Sequence, residues 1–126
     1  MTTFGEMLKK FRLKAELSLR EFSVKVADDP ANVSRIERGL KPAPGDDTIS
    51  RYLKGLISVM TDEERQSFMD MAAISRREIP SDIPNELLLN KLPAFLRTLR
   101  AEKPSTKEME ETIDMVKRAF NPEGSL

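Results

Sequence analysis

The sequence predicts an all-α fold, and three observations carry the prediction. Apolar residues return every three or four positions in one segment after another, which is the spacing of a single helix face. Ser18–Glu21, Thr61–Glu64 and Ser105–Glu108 each have the form of a capping box, the local signature of a helix start. No stretch alternates apolar and polar residues in the manner of a half-buried strand.

Each element follows from its own residues. Helix 1 is expected from about Thr3 to Lys14, with Phe4, Met7, Leu8 and Phe11 inward and Lys9, Lys10 and Lys14 on other faces. The Ser18 box starts helix 2, which turns Leu19, Phe22 and Val26 to the core. Asp28-Asp29-Pro30 combines an Asp cap with proline at the first helical position, so helix 3 begins there. Val33 and Ile36 are its buried positions, and Gly39 is placed to end it in a left-handed conformation. Lys41 to Gly45 is a loop, and Asp46 and Asp47 are candidate caps for helix 4, which buries Ile49, Tyr52, Leu53 and Leu56. The Thr61 box opens helix 5, with Phe68, Met71, Ala72 and Ile74 inward.

Ser75 to Pro84 holds two prolines and two adjacent arginines, and reads as a linker. Beyond it, Asn85 to Asn90 makes a short apolar turn of helix. Pro93 sits near the start of another, which carries Phe95, Leu96 and Leu99. The Ser105 box opens the last helix, with Met109, Ile113, Val116 and Phe120 in one stripe opposite Glu110, Glu111, Lys117 and Arg118. The implied organisation is a helical domain over 1–74, a linker over 75–84, a helical region over 85–120 and a fraying tail over 121–126.

Composition narrows the function. The 126 residues suffice for one compact domain, or a small domain with an appendage. No run of about 18 apolar residues is present, so no membrane span is expected. The start, MTTFGEMLKK, lacks the apolar block of a signal peptide, which points to the cytoplasm. The chain has no Cys and no His. Disulfides, thiol nucleophiles, imidazole bases and the usual zinc sites are therefore all excluded. A carboxylate-only enzyme would need a cleft, which short helices without strands seldom build. No catalytic residue, metal or cofactor is expected.

The formal net charge is zero, but it is unevenly spread. Residues 1–55 hold eleven Lys or Arg against eight Asp or Glu, and residues 56–126 hold ten against thirteen. The positive half coincides with Leu17 to Gly39, two short helices joined by a tight turn, the second polar on its outer face. A helix of that kind fits the major groove of B-DNA. The excess is small, so phosphate contacts should be few and a second subunit would help.

Residues 3–57, through FGEMLKKFR, LSLREF and above all VSRIERG, resemble the Cro and phage-repressor class of helix-turn-helix domain, the XRE family. The resemblance implies a five-helix, λ-repressor-like DNA-binding domain. It places base contacts on Ala31, Asn32, Ser34 and Arg35, and phosphate contacts on Arg38 and Lys41. The chemistry is apt: Arg suits guanine O6 and N7, Asn suits adenine, and Ala can touch a thymine methyl. Backbone N–H groups at the starts of helices 2 and 4 can also meet phosphates. Arg12 and Glu37 align with a partly buried ion pair that joins helix 1 to the end of helix 3, a structural role.

The chain also departs from the family pattern. Leu19 stands where a phosphate-binding Gln is common, and Ala27 where the turn usually has Gly. Asp28 and Asp29 bring two negative charges to the expected DNA side; one serves as a cap, and the other repels phosphate unless turned away.

More loosely, LLLNKLPAFLRTLRAEKPSTKEMEETIDMVKRAF over 85–120 resembles the appendage of XRE-type repressors. In relatives of that layout the appendage supports dimerisation, and some are encoded beside an immunity-repressor metallopeptidase. The likeness implies a homodimer or partner interface on Phe95, Leu96, Leu99, Met109, Ile113, Val116 and Phe120. The alternative from the residues alone is that this set closes a monomeric core against helix 5. Arg76-Arg77 reads as a solvated pair, with phosphate contact as its alternative, and Glu110, Glu111 and Asp114 as a solvated acidic face rather than a cation site. The expected function is a cytoplasmic repressor that binds double-stranded DNA as a homodimer. The alternative is an antitoxin or inhibitor that holds a toxin or metallopeptidase through its C-terminal helices.

Overall fold

The structure, a computed structural model, describes residues 3–102 and 105–120, with Ala119 and Phe120 described through their backbone only. The elements are α1 (Phe4–Lys14), α2 (Leu19–Val26), α3 (Pro30–Glu37), α4 (Asp46–Leu56), a 3₁₀ turn (Ile57–Val59), α5 (Asp62–Ser75), α6 (Asn85–Glu102) and α7 (Thr106–Phe120). Among the described residues there is no strand, so the fold is all-α. None of their helices is long and apolar enough to cross a membrane. The chain divides into two compact units, Met1–Arg76 and Arg77–Leu126.

The first unit has one core. Phe4, Leu8 and Phe11 of α1, Phe22 and Val26 of α2, Val33 and Ile36 of α3, Ile49, Tyr52 and Leu56 of α4, and Phe68 and Ala72 of α5 are all buried together. Two aromatic contacts lie within it. Phe4 meets Phe68 at 5.0 Å between ring centroids, and Phe22 meets Tyr52 edge-on at 5.3 Å. Both separations fall in the favourable range for tilted ring pairs.

The helix ends are set by local hydrogen bonds. At each of the three capping boxes the hydroxyl accepts from the backbone three residues on, and the glutamate reaches back. The first three helices close with the same C-terminal device. Leu17 N–H donates to Arg12, Asp28 N–H to Ser23 and Leu40 N–H to Arg35, and the residue before each donates across the shorter loop. The left-handed residue at these three closures is Glu16, Ala27 and Gly39, with φ of 59°, 57° and 74°. Only the last has glycine's freedom.

Four details differ from the sequence expectation. Asp46 and Asp47 do not cap α4: Gly45 is its N-cap and makes no side-chain hydrogen bond, while the two aspartates occupy the first turn, where the helix dipole favours negative charge. Ile74 is 40% exposed, and Ala73 takes the inward position at the end of α5. The two short helices expected around Asn90 form one, because Leu88, Leu92 and Leu99 keep a single half-buried stripe running past Pro93. The proline removes one backbone donor, which leaves the Leu89 carbonyl without its intrahelical partner. Ser75, expected to begin the linker, is the last residue of α5; its hydroxyl accepts from the Ala43 N–H at 2.9 Å.

In the second unit, none of residues 77–102 and 105–118 is buried. Helix α7 is apolar along one side, and Arg77 meets Glu111 at 3.5 Å while Arg118 meets Asp114 at 3.4 Å.

Candidate nucleic-acid interface

Helix α3 is only eight residues long, and its outward direction follows from what holds its inner side. Val33 and Ile36 are buried in the core. At its C-terminus α1 approaches so closely that a Cβ on Gly5 would lie 2.3 Å from the Ile36 carbonyl oxygen and 2.7 Å from that of Glu37. Only glycine permits that distance. The Arg12 guanidinium then clamps the same end. Its Nε donates to Glu37 Oε2 at 2.7 Å and its NH2 to Oε1 at 3.0 Å, while NH1 donates to the Leu17 carbonyl at 2.9 Å. Both side chains are almost fully buried, so the bidentate geometry and the third bond are what offset their desolvation.

Helix α4 holds the turn between α2 and α3. Arg51 Nε donates to the Val26 carbonyl at 3.0 Å, which satisfies one of the orphan acceptors at the end of α2. The Tyr52 hydroxyl donates a hydrogen bond to the Asp28 carboxylate. Burial pushes the Asp28 carboxyl up, but the hydrogen bonds from Tyr52, the Asp29 N–H and Asn32, with the Arg51 charge nearby, outweigh it. The group is held below the ordinary carboxylate range. Burial and the adjacent Asp28 carboxylate push the Tyr52 hydroxyl well above its ordinary value, so it remains a donor. Asp29 is the N-cap of α3 and accepts from the Ala31 N–H at 2.9 Å. Of the two aspartates, Asp29 caps and Asp28 turns to Tyr52.

The face left uncovered carries the expected contact residues. Ala31 and Arg35 are exposed and one turn apart, and Ser34 is half-buried beside them. The Arg35 side chain has no hydrogen bond or ion pair among the described residues. Arg38 is exposed at the C-cap, and its Nε donates to the Ser34 carbonyl at 3.3 Å. Asn32 is half-buried, with Nδ2 within 3.2 and 3.1 Å of the two Asp28 oxygens and Oδ1 accepting from Lys41 Nζ at 2.6 Å. Arg76 is no solvated loop residue: it donates to the Pro44 carbonyl and to Asp46, while Arg77 belongs to the second unit.

In the second unit the expected interface set is partly open. Phe95, Leu96 and Ile113 are 42%, 38% and 47% exposed, whereas Leu99, Met109 and Val116 are half-buried. Leu87 and Leu89 of α6 are exposed as well. The Phe120 side chain and the tail 121–126 lie outside the described residues.

Sequence reasoning missed three residues that hold the site. The helical period places Tyr52 in the core, which it joins through its ring, and says nothing of the bond its hydroxyl makes. Arg51 gave no local signal. Gly5 did: a glycine inside an otherwise strong helical pattern often marks close backbone approach. Comparison with protein-family models, with curated proteins and with solved structures returns no match.

Proposed function

We propose that this chain is a sequence-specific DNA-binding transcriptional regulator, a repressor that binds an inverted-repeat operator as a homodimer. On this reading, residues 1–74 are a five-helix domain of the λ-repressor type. Helix α2, the Ala27 turn and α3 form its helix-turn-helix, and α3 enters the major groove. Ala31, Ser34 and Arg35 lie on the base side with Asn32 at their edge, and Arg38 and Lys41 meet phosphates.

The observation that carries the reading is the contrast between the two sides of α3. Its inner side is fixed by the Gly5 approach, the Arg12–Glu37 pair and the α4 contacts to the turn. Its outer side offers an exposed guanidinium with no partner among the described residues. A rigidly mounted helix with an unengaged Arg is what direct readout of guanine requires.

The dimer is proposed to form through the second unit. Its apolar side chains, including Phe95, Leu96 and Ile113, stay substantially exposed within one copy of the chain. A helical stripe of that kind needs a covering surface. The same observation favours one second reading, an antitoxin or inhibitor whose C-terminal helices hold a protein partner and which also represses its own operon.

Sedimentation followed by hydroxyl-radical footprinting on DNA upstream of the gene tests the proposal. A dimer that protects two patches on one duplex face, about 34 Å apart, supports it. A monomer that leaves no footprint contradicts it. A partner protein retained through high salt, without a footprint, favours the second reading.

A further inference from the structure

Asn32 lies in a chain of polar groups that crosses the edge of the recognition face. Tyr52 donates to Asp28, Asp28 accepts from Asn32 Nδ2 at 3.1 Å, and Asn32 Oδ1 accepts from Lys41 Nζ at 2.6 Å. The amide orientation is dictated by its neighbours. A carboxylate only accepts and an ammonium only donates, so the NH₂ must face Asp28 and the carbonyl must face Lys41. The reversed amide would set like partial charges against both. Both ends are charge-assisted, which makes them the stronger kind of hydrogen bond.

A bidentate contact to adenine uses the same two groups, Nδ2 as donor and Oδ1 as acceptor. In this chain both are engaged. Asp28 is itself fixed from below by Tyr52 and by the Asp29 N–H at 2.7 Å, so the anchor of the chain does not follow Asn32 outward. Lys41 is exposed at the other end, on the loop that follows the left-handed Gly39.

We infer that Asn32 is a positioning residue for phosphate contact rather than a reader of bases: it holds the Lys41 ammonium at the edge of α3, where the DNA backbone passes. Base preference then rests on Ala31, Ser34 and Arg35. The Asp28–Asn32–Lys41 chain contributes affinity that is independent of sequence. This inference rests on the DNA-binding reading given above.

Selection from a randomised duplex pool, followed by salt titration of the selected site, tests it on the full-length protein. Asn32→Ala, Lys41→Ala and the double variant are compared with wild type. Asn32→Ala should enrich the same sequence as wild type, bind all duplexes more weakly by a similar factor, and lower the slope of log K against log salt by up to about one. Lys41→Ala should do the same, and the double variant should be no weaker than Lys41→Ala alone. A changed base preference at one position of each half-site in Asn32→Ala overturns the inference and leaves the DNA-binding reading intact. A wild-type pool with no enrichment overturns the DNA-binding reading itself. If Asn32→Ala fails to fold, the Asn32 side-chain amide resonance decides the matter in the free protein. Lys41→Met should shift it, and an unmoved resonance overturns the inference.

Discussion

The Arg12 guanidinium grips the Glu37 carboxylate, 25 residues on in sequence, through two hydrogen bonds of 2.7 and 3.0 Å. The pair joins the end of α1 to the last residue of α3, and the third bond from Arg12 ties in the α1–α2 turn. A buried charge without its partner is costly, so Glu37→Ala is expected to destabilise by about 3–5 kcal/mol. The double replacement Arg12→Met, Glu37→Leu should cost much less than the single one. Urea denaturation of wild type and the two variants measures both. Equal losses for the single and double variants would show that the pair is not a coupled unit.

Tyr52→Phe removes a donor to a carboxylate while keeping the ring against Phe22. A loss of about 1.5–3 kcal/mol is expected, the range for hydrogen bonds to charged groups. The same contact shapes the acid response. The folded pKa of Asp28 lies below its unfolded value, so its contribution is fully present above the unfolded pKa, about 4, and is lost as pH falls through the folded value. The capping glutamates Glu21 and Glu64 act in the same direction, chiefly through the Ser18 and Thr61 backbone N–H groups that donate to them. Urea midpoints measured from about pH 6 down to about pH 2.5 should fall, and Asp28→Asn should fall less steeply in the acid part of that range. Parallel slopes for the two proteins would contradict this account of Asp28.

Much of the fold was legible because it is written locally. Ser18 with Glu21 and Thr61 with Glu64 announce helix starts within four residues, and each forms the expected reciprocal bonds. Gly39 is left-handed at the end of α3, as its position after VSRIER requires. What was not legible depends on residues far apart in sequence. Nothing near Asp28 shows that it faces Tyr52, 24 residues on, and nothing near Arg76 shows its contact to Asp46. The local rule for Pro93 predicts a helix start. The longer apolar stripe around it kept α6 continuous.

Two backbone positions offer a matched pair of variants. Gly5→Ala would place a methyl group against the Ile36 carbonyl, and α1 or α3 must shift to admit it. A loss of about 1–3 kcal/mol is expected, as for overpacking. Ala27 has φ of 57°, so Ala27→Gly should relieve strain and gain about 0.5 kcal/mol after the greater entropy of the unfolded glycine is offset. Thermal melting reads both signs. A stabilising Gly5→Ala would show that the close approach of α1 to α3 is not needed.

Leu96 and Ile113 test the second unit. Each is exposed within one copy of the chain, so Leu96→Glu and Ile113→Glu should leave the melting of residues 1–76 nearly unchanged. In the homodimer proposed above, both should raise the dissociation constant by tenfold or more, since about 1.4 kcal/mol is enough for that change. Sedimentation equilibrium gives the constant. An unaltered dimer would move the contact away from this stripe.

The most direct test of the central claim is fluorescence anisotropy of wild type and Arg35→Ala against the upstream DNA of the gene and a scrambled duplex, at two salt concentrations. Wild type should prefer the upstream DNA and weaken with salt. Arg35→Ala should lose about 1–3 kcal/mol on the upstream DNA and little on the scrambled one. Equal binding of both duplexes by wild type, or an Arg35→Ala variant that discriminates as well as wild type, would contradict the placement of α3 as the reading helix.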